Sequence, residues 1–373
     1  MILSFWEKQT WFSNIDFTVV GSGIVGLHCA LQLRCKYPAA KILVLEKGTL
    51  PEGASTKNAG FACFGSISEI IDDLQHHSEQ EVIDLVKKRK IGLELLRKNI
   101  GDQNIDFQQN GGFEVFLDND KTFFDECIFQ IPFINDLFSQ VFESEVFLKN
   151  SIDFGFKNVF ESQILNPFEG QIDTGKMMQS LLKKTIANNI LILNNQEVLD
   201  FCDNNKQVEI SLKNFSFKTN KLFFATNGFA AKLTNNAVKP ARAQVLITSE
   251  IEKLDWKGTF HLDRGYVYFR NIGNRVLLGG GRNLDFATET TTEITITTFI
   301  QNHLENLLKT VILPQHSFVI EHRWAGIMGM GESKNPIVEQ LSDNVFCGVR
   351  LGGMGVAIGS LVGTELADLC TSF

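Results

Sequence analysis

Apolar and polar positions follow two different periods along this chain, and the switches between them mark its elements. The β-branched run FTVV at 17–20 predicts a short buried strand. From Ile24 to about Lys36, apolar Val25, Leu27, Ala30, Leu31 and Leu33 recur at helical spacing; Pro38 ends that pattern, and KILVLE at 41–46 predicts a second strand. A helix is expected over 79–99, with Lys87, Lys88, Arg89 and Lys90 as one solvated stretch of it. Asp173 is a candidate N-cap for a helix to about Ala187, followed by a strand at 190–193 and alternating runs at 207–212 and 215–219 that suggest a small β-meander. The blocks 106–163 and 241–319 read as strand-rich and Phe-rich, with a hairpin over 265–282 turning at Ile272-Gly273-Asn274. Near the end, NVFCGVRLGGMGVAIGSLVGTELADL predicts a short strand, a glycine turn and a long helix of small residues.

The junction between the first strand and helix reads GSGIVG at 21–26. Gly21 permits a tight turn, Gly23 lets the backbone approach a pyrophosphate, and Gly26 lets helix and strand pack closely. An anion there would face the free N–H groups of a helix N-terminus. Glu46 closes the second strand twenty residues beyond Gly26, where a βαβ unit places the carboxylate that binds an adenosine ribose. An acid at that point repels a ribose 2′-phosphate, which favours FAD or NAD over NADP.

After Glu46, the segment GTLPEGASTKNAGF at 48–61 is too small, polar and glycine-rich for a long helix or strand, so it must be a loop. With this segment the chain resembles the D-amino-acid oxidase superfamily of flavoproteins, in particular its glycine oxidase and sarcosine oxidase-like branch. The resemblance spans nearly the whole chain and implies an α/β fold. A Rossmann-like FAD-binding domain, a parallel sheet with a β-meander crossover, is expected from 1–105, 164–240 and 320–373. An interleaved antiparallel-sheet substrate domain is expected from 106–163 and 241–319. The resemblance also assigns the cofactor side. Gly21, Gly23, Ile24, Val25, Gly26, Glu46 and Lys47 would hold the dinucleotide, with Ala54, Ser55, Thr56, Lys57, Asn58, Ala59 and Gly60 along the diphosphate and flavin ring. Glu197 and Val198 match the position whose backbone meets adenine, and Ala225, Thr226 and Gly228 lie in the returning FFATNGF turn. Arg350, Gly352, Gly353, Met354, Gly355 and Val356 precede or open the helix aimed at the flavin pyrimidine edge.

The activity implied is oxidation of a carbon–nitrogen bond in an amine or amino acid to an imine, by hydride transfer to FAD. A substrate carboxylate needs an anchor, for which arginine's planar fork is suited. Arg350 and Arg282 are the expected candidates; Arg270 is a weaker one, because alternation with Tyr266 and Tyr268 puts all three on one strand face that reads as surface, and Tyr266 matches a position whose hydroxyl meets substrate. Two departures from the family pattern stand out. The stretch after Trp324 reads WAGIMGMGESKNP, without the arginine that holds glycine-type substrates, and Leu277 stands where sarcosine oxidase-like members carry a lysine that assists reaction with oxygen. Oxidase and dehydrogenase chemistry therefore both stay open, as does the electron acceptor. The covalent attachment residues are missing as well, so the FAD is expected to be non-covalent. An NAD-linked dehydrogenase and a non-catalytic flavin-binding subunit are the alternatives.

Composition narrows the rest. With 44% hydrophobic and 21% charged residues and a net charge of −8, the chain reads as a soluble globular protein rather than a nucleic-acid binder. No apolar window reaches membrane-span length, and seven cysteines without CxxC spacing suit a reducing, cytoplasmic setting. Cys63 falls just after the flavin-loop motif and is expected to pack. No metal-ligand spacing and no GxSxG occurs.

Overall fold

The computed structural model describes residues 3–234 and 238–371. A short helix α1 (Phe5–Trp11) leads into β1 (Ile15–Val20), α2 (Ile24–Lys36) and β2 (Ile42–Leu45), as the periodicity predicts. After β3 (Phe61–Ala62) come α3 (Ile67–His76), α4 (Glu79–Ile100) and α5 (Asp102–Ile105). The chain continues through β4 (Gly112–Glu114), α6 (Lys121–Phe138), β5 (Leu148–Asn150), β6 (Gln163–Asn166) and β7 (Gly170–Gln171). Helix α7 (Thr174–Ala187) and β8 (Leu191–Leu193) precede the meander β9 (Val198–Asp203), β10 (Val208–Leu212) and β11 (Ser216–Phe224). Then follow β12 (Lys239–Thr248), β13 (Thr259–Leu262), β14 (Val267–Ile272), β15 (Arg275–Gly280), α8 (Phe286–Glu289) and α9 (Thr298–Leu307). The last elements are β16 (Ile320–Met330), β17 (Ile337–Ser342), β18 (Val345–Val349) and α10 (Gly355–Asp368).

Two large sheets result. The first runs β17-β18-β11-β1-β2-β8, with β9 and β10 folded antiparallel beside β11. Its β18, β11, β1, β2 and β8 are parallel; one face of this sheet packs on helices, α2 and α10 among them, and the other on the meander through Val198, Val208, Ile210, Leu212 and Phe217. The second runs β16-β12-β15-β14-β13-β4-β6-β5 and is antiparallel except for the β13–β4 pair.

The first βα turn shows why its glycines are there. Gly21 has φ +104°, and a Cβ on Gly26 would stand 1.9 Å from the Gly21 carbonyl oxygen, so a side chain there would force α2 off the sheet. Helix α10 packs across α2 and α4 with Gly363 against Val25 and Ser360 Oγ bonded to the Gly92 carbonyl. The second core is an aromatic cluster in which Phe113, Phe156, Trp256, Phe260 and Phe269 stack edge to face or in parallel, which accounts for the Phe-rich composition of those blocks.

Four expectations need correcting. The 106–163 block is not chiefly strand, since α6 occupies eighteen of its residues and buries Phe124, Cys127, Ile134 and Phe138. Strand β16, expected with the nucleotide domain, pairs with β12 in the second sheet over its whole length, and β6 also lies in that sheet. Arg89 is buried and donates from Nη1 to the Phe64 carbonyl at 2.6 Å rather than sharing the solvated run with its neighbours. Arg270 is likewise buried, not on an open face.

Candidate active site

Between the sheets lies a cavity of about 920 Å³. One end of it forms where β1 and β2 finish. Glu46 is buried there and its carboxylate accepts four hydrogen bonds: from Ser22 N at 3.1 Å, Ser22 Oγ at 2.8 Å, Gly48 N at 3.1 Å and Glu52 N at 3.3 Å. The carboxylate therefore ties the glycine turn to the loop after β2. Gly23, the residue before α2, has no side chain to cap it, and Ser55 does so from a distance: its Oγ accepts from Ile24 N at 3.0 Å. The 54–60 loop is braced by Asn58, whose Nδ2 donates to Ser55 O at 2.9 Å and whose Oδ1 accepts from Gly60 N at 2.9 Å and Thr174 Oγ1 at 2.9 Å. Lys47 Nζ lies 3.7 Å from the Phe229 ring centre, and Trp324 Nε1 donates to Lys57 O at 2.9 Å.

The far end is framed by the turn before α10. Asn227 Oδ1 accepts from Arg350 N at 3.1 Å and Leu351 N at 3.2 Å, which fixes the turn against the strand of the FFATNGF motif. Buried Cys63 has its Sγ 3.5 Å from Met354 Sδ, and burial pushes its thiol well up. The opposite wall comes from the second sheet. Arg270 donates to the carbonyls of Ala59, Ile172 (2.9 Å) and Asn271 (3.3 Å), clasping the 54–60 loop to β14. Burial pulls its pKa down to about 10, against the charges of Asp173 and Asp106. Tyr268 is pushed up to about 12 by burial. The Arg282 guanidinium stacks 5.6 Å from the Tyr266 ring centre and 5.0 Å from that of Phe286, and makes no hydrogen bond or ion pair with a described residue. Burial lowers its pKa, opposed by Tyr266 and Tyr268.

Behind this wall, under α3, sits a set of buried acids. Glu114 accepts from Ser68 N at 3.0 Å and from Ser68 Oγ, and Glu169 accepts from Phe64 N at 2.7 Å. Burial raises both carboxyls, Glu114 to about 7 and Glu169 to about 8.

Most of the residues singled out from the sequence border this one cavity: Gly21, Gly23, Ile24, Val25, Glu46, Lys47, Ala54, Ser55, Lys57, Asn58, Ala59, Val198, Ala225, Thr226, Gly228, Gly352, Gly353, Met354, Gly355 and Val356, with Tyr266 and Arg282. Gly26, Thr56, Gly60 and Arg350 do not. Gly26 lies behind the turn against Gly21, Thr56 Oγ1 donates to Pro51 O at 2.6 Å, and Gly60 packs on Ile172 and Arg270. Arg350, with φ +64°, sends Nε to the Asn335 carbonyl at 2.9 Å, which turns the guanidinium away from the cavity. Glu69, His261 and Lys334 also line the cavity and were not anticipated. Glu69 carried a readable signal, the Ser66-x-x-Glu69 capping pattern, but as a helix start rather than as a wall of a site.

A family model described as FAD dependent oxidoreductase matches residues 16–369, and the chain belongs to that family. Probable oxidoreductase OrdL of Haemophilus influenzae is 20% identical, over 96% of this chain and 83% of that protein. Among solved structures, L-proline dehydrogenase from P. horikoshii superposes with a TM-score of 0.74 at 18% identity, over 96% of this chain and 93% of that one. Glycine oxidase from Geobacillus kaustophilus gives 0.74 at 17%, over 95% and 94%. Iminodiacetate oxidase from Chelativorans sp. BNC1 gives 0.71 at 16%, over 94% of each. At these identities the structural likenesses establish the fold. The protein is an FAD-dependent oxidoreductase, which sets aside the NAD-linked and non-catalytic alternatives. No helix among the described residues is long and apolar enough to cross a membrane.

Proposed function

We propose that the protein holds FAD non-covalently in this cavity and oxidises the C–N bond of an amine or amino acid to an imine, with a substrate carboxylate received by Arg282. The fit of a dinucleotide is supported by the cavity's volume of about 920 Å³ and by its run from Glu46 to the turn before α10. Thr226 Oγ1, on the cavity wall, is buried without a hydrogen-bond partner among the described residues, and apart from the chain neighbours no described atom lies within 4 Å of where a Cβ would stand on Gly352 or Gly353, which leaves the backbone there accessible to a ligand. Ser55, Glu46 and the N-terminus of α2 would hold the diphosphate and ribose, and the start of α10 the pyrimidine edge of the ring.

When bound, FAD supplies the hydride acceptor. The chain's own part is to orient the substrate, exclude water and hold its charged group. The observation that carries the reading is Arg282: a guanidinium on the cavity wall, stacked on two rings and bonded to no described residue, has its whole donor fork available. Tyr266 beside it offers a hydroxyl to the same ligand. Arg350 fits this role less well, because its Nε is spent on Asn335. Anaerobic bleaching of the flavin absorbance by a panel of amines and amino acids tests the proposal. A yellow protein that no member of the panel reduces would refute it.

A further inference from the structure

The second sheet carries one transverse row of residues past the cavity. Glu114 of β4 pairs with His261 of β13, His261 with Tyr268 of β14, and Tyr268 with Gly279 of β15. His261 borders the cavity, with its ring edge-on to Phe61 at 5.3 Å, and is only 5% exposed. Neither of its ring nitrogens has a hydrogen-bond partner among the described residues. A buried imidazole ordinarily satisfies at least one nitrogen, so an orphan on a cavity wall is a group prepared for a ligand. Glu69 borders the same cavity from the first turn of α3. One of its oxygens accepts from Ser66 N at 3.0 Å, its carboxyl carbon lies against Gly265, and its other oxygen has no described partner.

We propose that Glu69 and His261 form a second polar subsite, in which Glu69 receives the substrate's ammonium group and His261 accepts its proton. The inference rests on the amine-oxidising reading above. An amine loses hydride from its α-carbon only when its nitrogen lone pair is free, yet in neutral water it arrives as the cation. In the step proposed, an N–H bond of the ammonium breaks, the electron pair stays on the substrate nitrogen, and the proton forms an N–H bond on the imidazole. Nothing is oxidised in that step; the two electrons leave later, as hydride to FAD. The imidazolium is then held beside Glu69, and its proton returns to water when the site empties.

Other groups around His261 serve this purpose less well. Burial keeps the His261 imidazole neutral, against the pull of Glu69, so it is an available acceptor. Tyr268 and Cys63 hold their protons tightly because burial raises both. Glu114 has its oxygens engaged by Ser68. Arg89 of α4 and Lys334 of the loop after β16 are cations on the same wall and favour the ionised form of Glu69.

The test is the pH dependence of the second-order constant for anaerobic flavin reduction by the best substrate of the panel, in wild-type, His261→Gln and Glu69→Gln holoenzymes. Wild type is expected to be flat from about pH 7 to the pKa of the substrate amine, near 10. His261→Gln, which can use only amine already neutral in solution, should rise about tenfold per pH unit, standing on the order of 1000-fold below wild type at pH 7 and converging with it near pH 10. Glu69→Gln should keep the flat profile and need about tenfold more substrate for half-reduction. A flat profile in His261→Gln would overturn the proposal while leaving the amine-oxidising reading intact. So would a wild-type profile that climbs through neutrality, which needs no variant to fold. A wild-type flavin that no amine reduces would overturn the functional reading, and this subsite with it.

Discussion

Replacing Arg282 by Met separates an anchor from a scaffold arginine. The guanidinium bonds to no described protein group, so its removal orphans no buried donor or acceptor. What is lost from the fold is the stacking on Tyr266 and Phe286 at 5.6 Å and 5.0 Å. Such contacts are worth about 0.5–1 kcal/mol each, and Met keeps much of the apolar packing, so stability should fall by only about 1 kcal/mol. Loss of the fork to a carboxylate costs about 2–5 kcal/mol when the pair is buried. Arg282 is partly open, which puts the expected cost near the lower bound, about 2 kcal/mol or roughly thirtyfold in the concentration that half-reduces the flavin. The assay is anaerobic titration with an amino acid and with the amine lacking its carboxylate. The amino acid should weaken and the amine should not. Equal weakening of both would show that Arg282 shapes the pocket rather than binding a carboxylate, and no weakening of either would remove it from the site.

Further outcomes follow from the same geometry. Glu46→Gln turns an amide donor toward the N–H groups of Ser22, Gly48 or Glu52, so apoprotein titration should show FAD bound at least about tenfold more weakly and thermal unfolding of the apoprotein should begin earlier. Unchanged values in both would contradict the role given to that carboxylate. Arg270→Met leaves the carbonyls of Ala59 and Ile172 without their donor and should cost at least about 2 kcal/mol in denaturant unfolding, whereas an unchanged midpoint would mean that the clasp contributes nothing. Glu114 and Glu169 hold their protons up to about 7 and about 8, above the ordinary carboxyl value of 4.5. Their stabilising effect is thus complete below about pH 4.5 and is lost as pH rises through 7 to 8, each contributing a slope of up to about 1.4 kcal/mol per pH unit. Glu114→Gln with Glu169→Gln should flatten the fall of the unfolding midpoint across that window. Acid precipitation should leave the yellow colour in the supernatant, and flavin fluorescence retained by the pellet would refute non-covalent binding.

Where backbone geometry dictates residue type, the sequence is easy to read. Gly21 and Gly26 are constrained by a turn and a contact that any βαβ unit of this kind repeats, and Glu46 by its distance along the chain. Helix α6 was hidden because Phe and Ile favour strands, and because its buried positions, Phe124, Cys127, Ile134 and Phe138, are interrupted by Pro132 and by exposed Phe129 and Phe133. Arg270 was placed on an open face because alternation gives the side of a strand but not what covers it, and the cover here is a loop two hundred residues away in sequence. Arg89 sits in a basic run whose other members are not buried, and only the Phe64 carbonyl distinguishes it. His261 lies between core residues Phe260 and Leu262, so nothing local announces that its ring meets a cavity.

The order in which strands enter the two sheets also governs how the protein can be made. Strand β18 sits between β17 and β11, and α10 lies on α2 and α4, although both follow residue 344 in the chain. The second sheet likewise waits for β16 to cover β12. As the polypeptide leaves the ribosome, β1 and its glycine turn emerge early, yet β11 beside β1 lacks its outer partner β18, and α2 the helix α10 that packs on it, until the residues after 344 are translated. Folding of this end of the cavity is thereby deferred until those residues have been made, and during that interval the half-built sheets present unpaired edges. No single cut divides the chain into two parts that each contain one complete sheet.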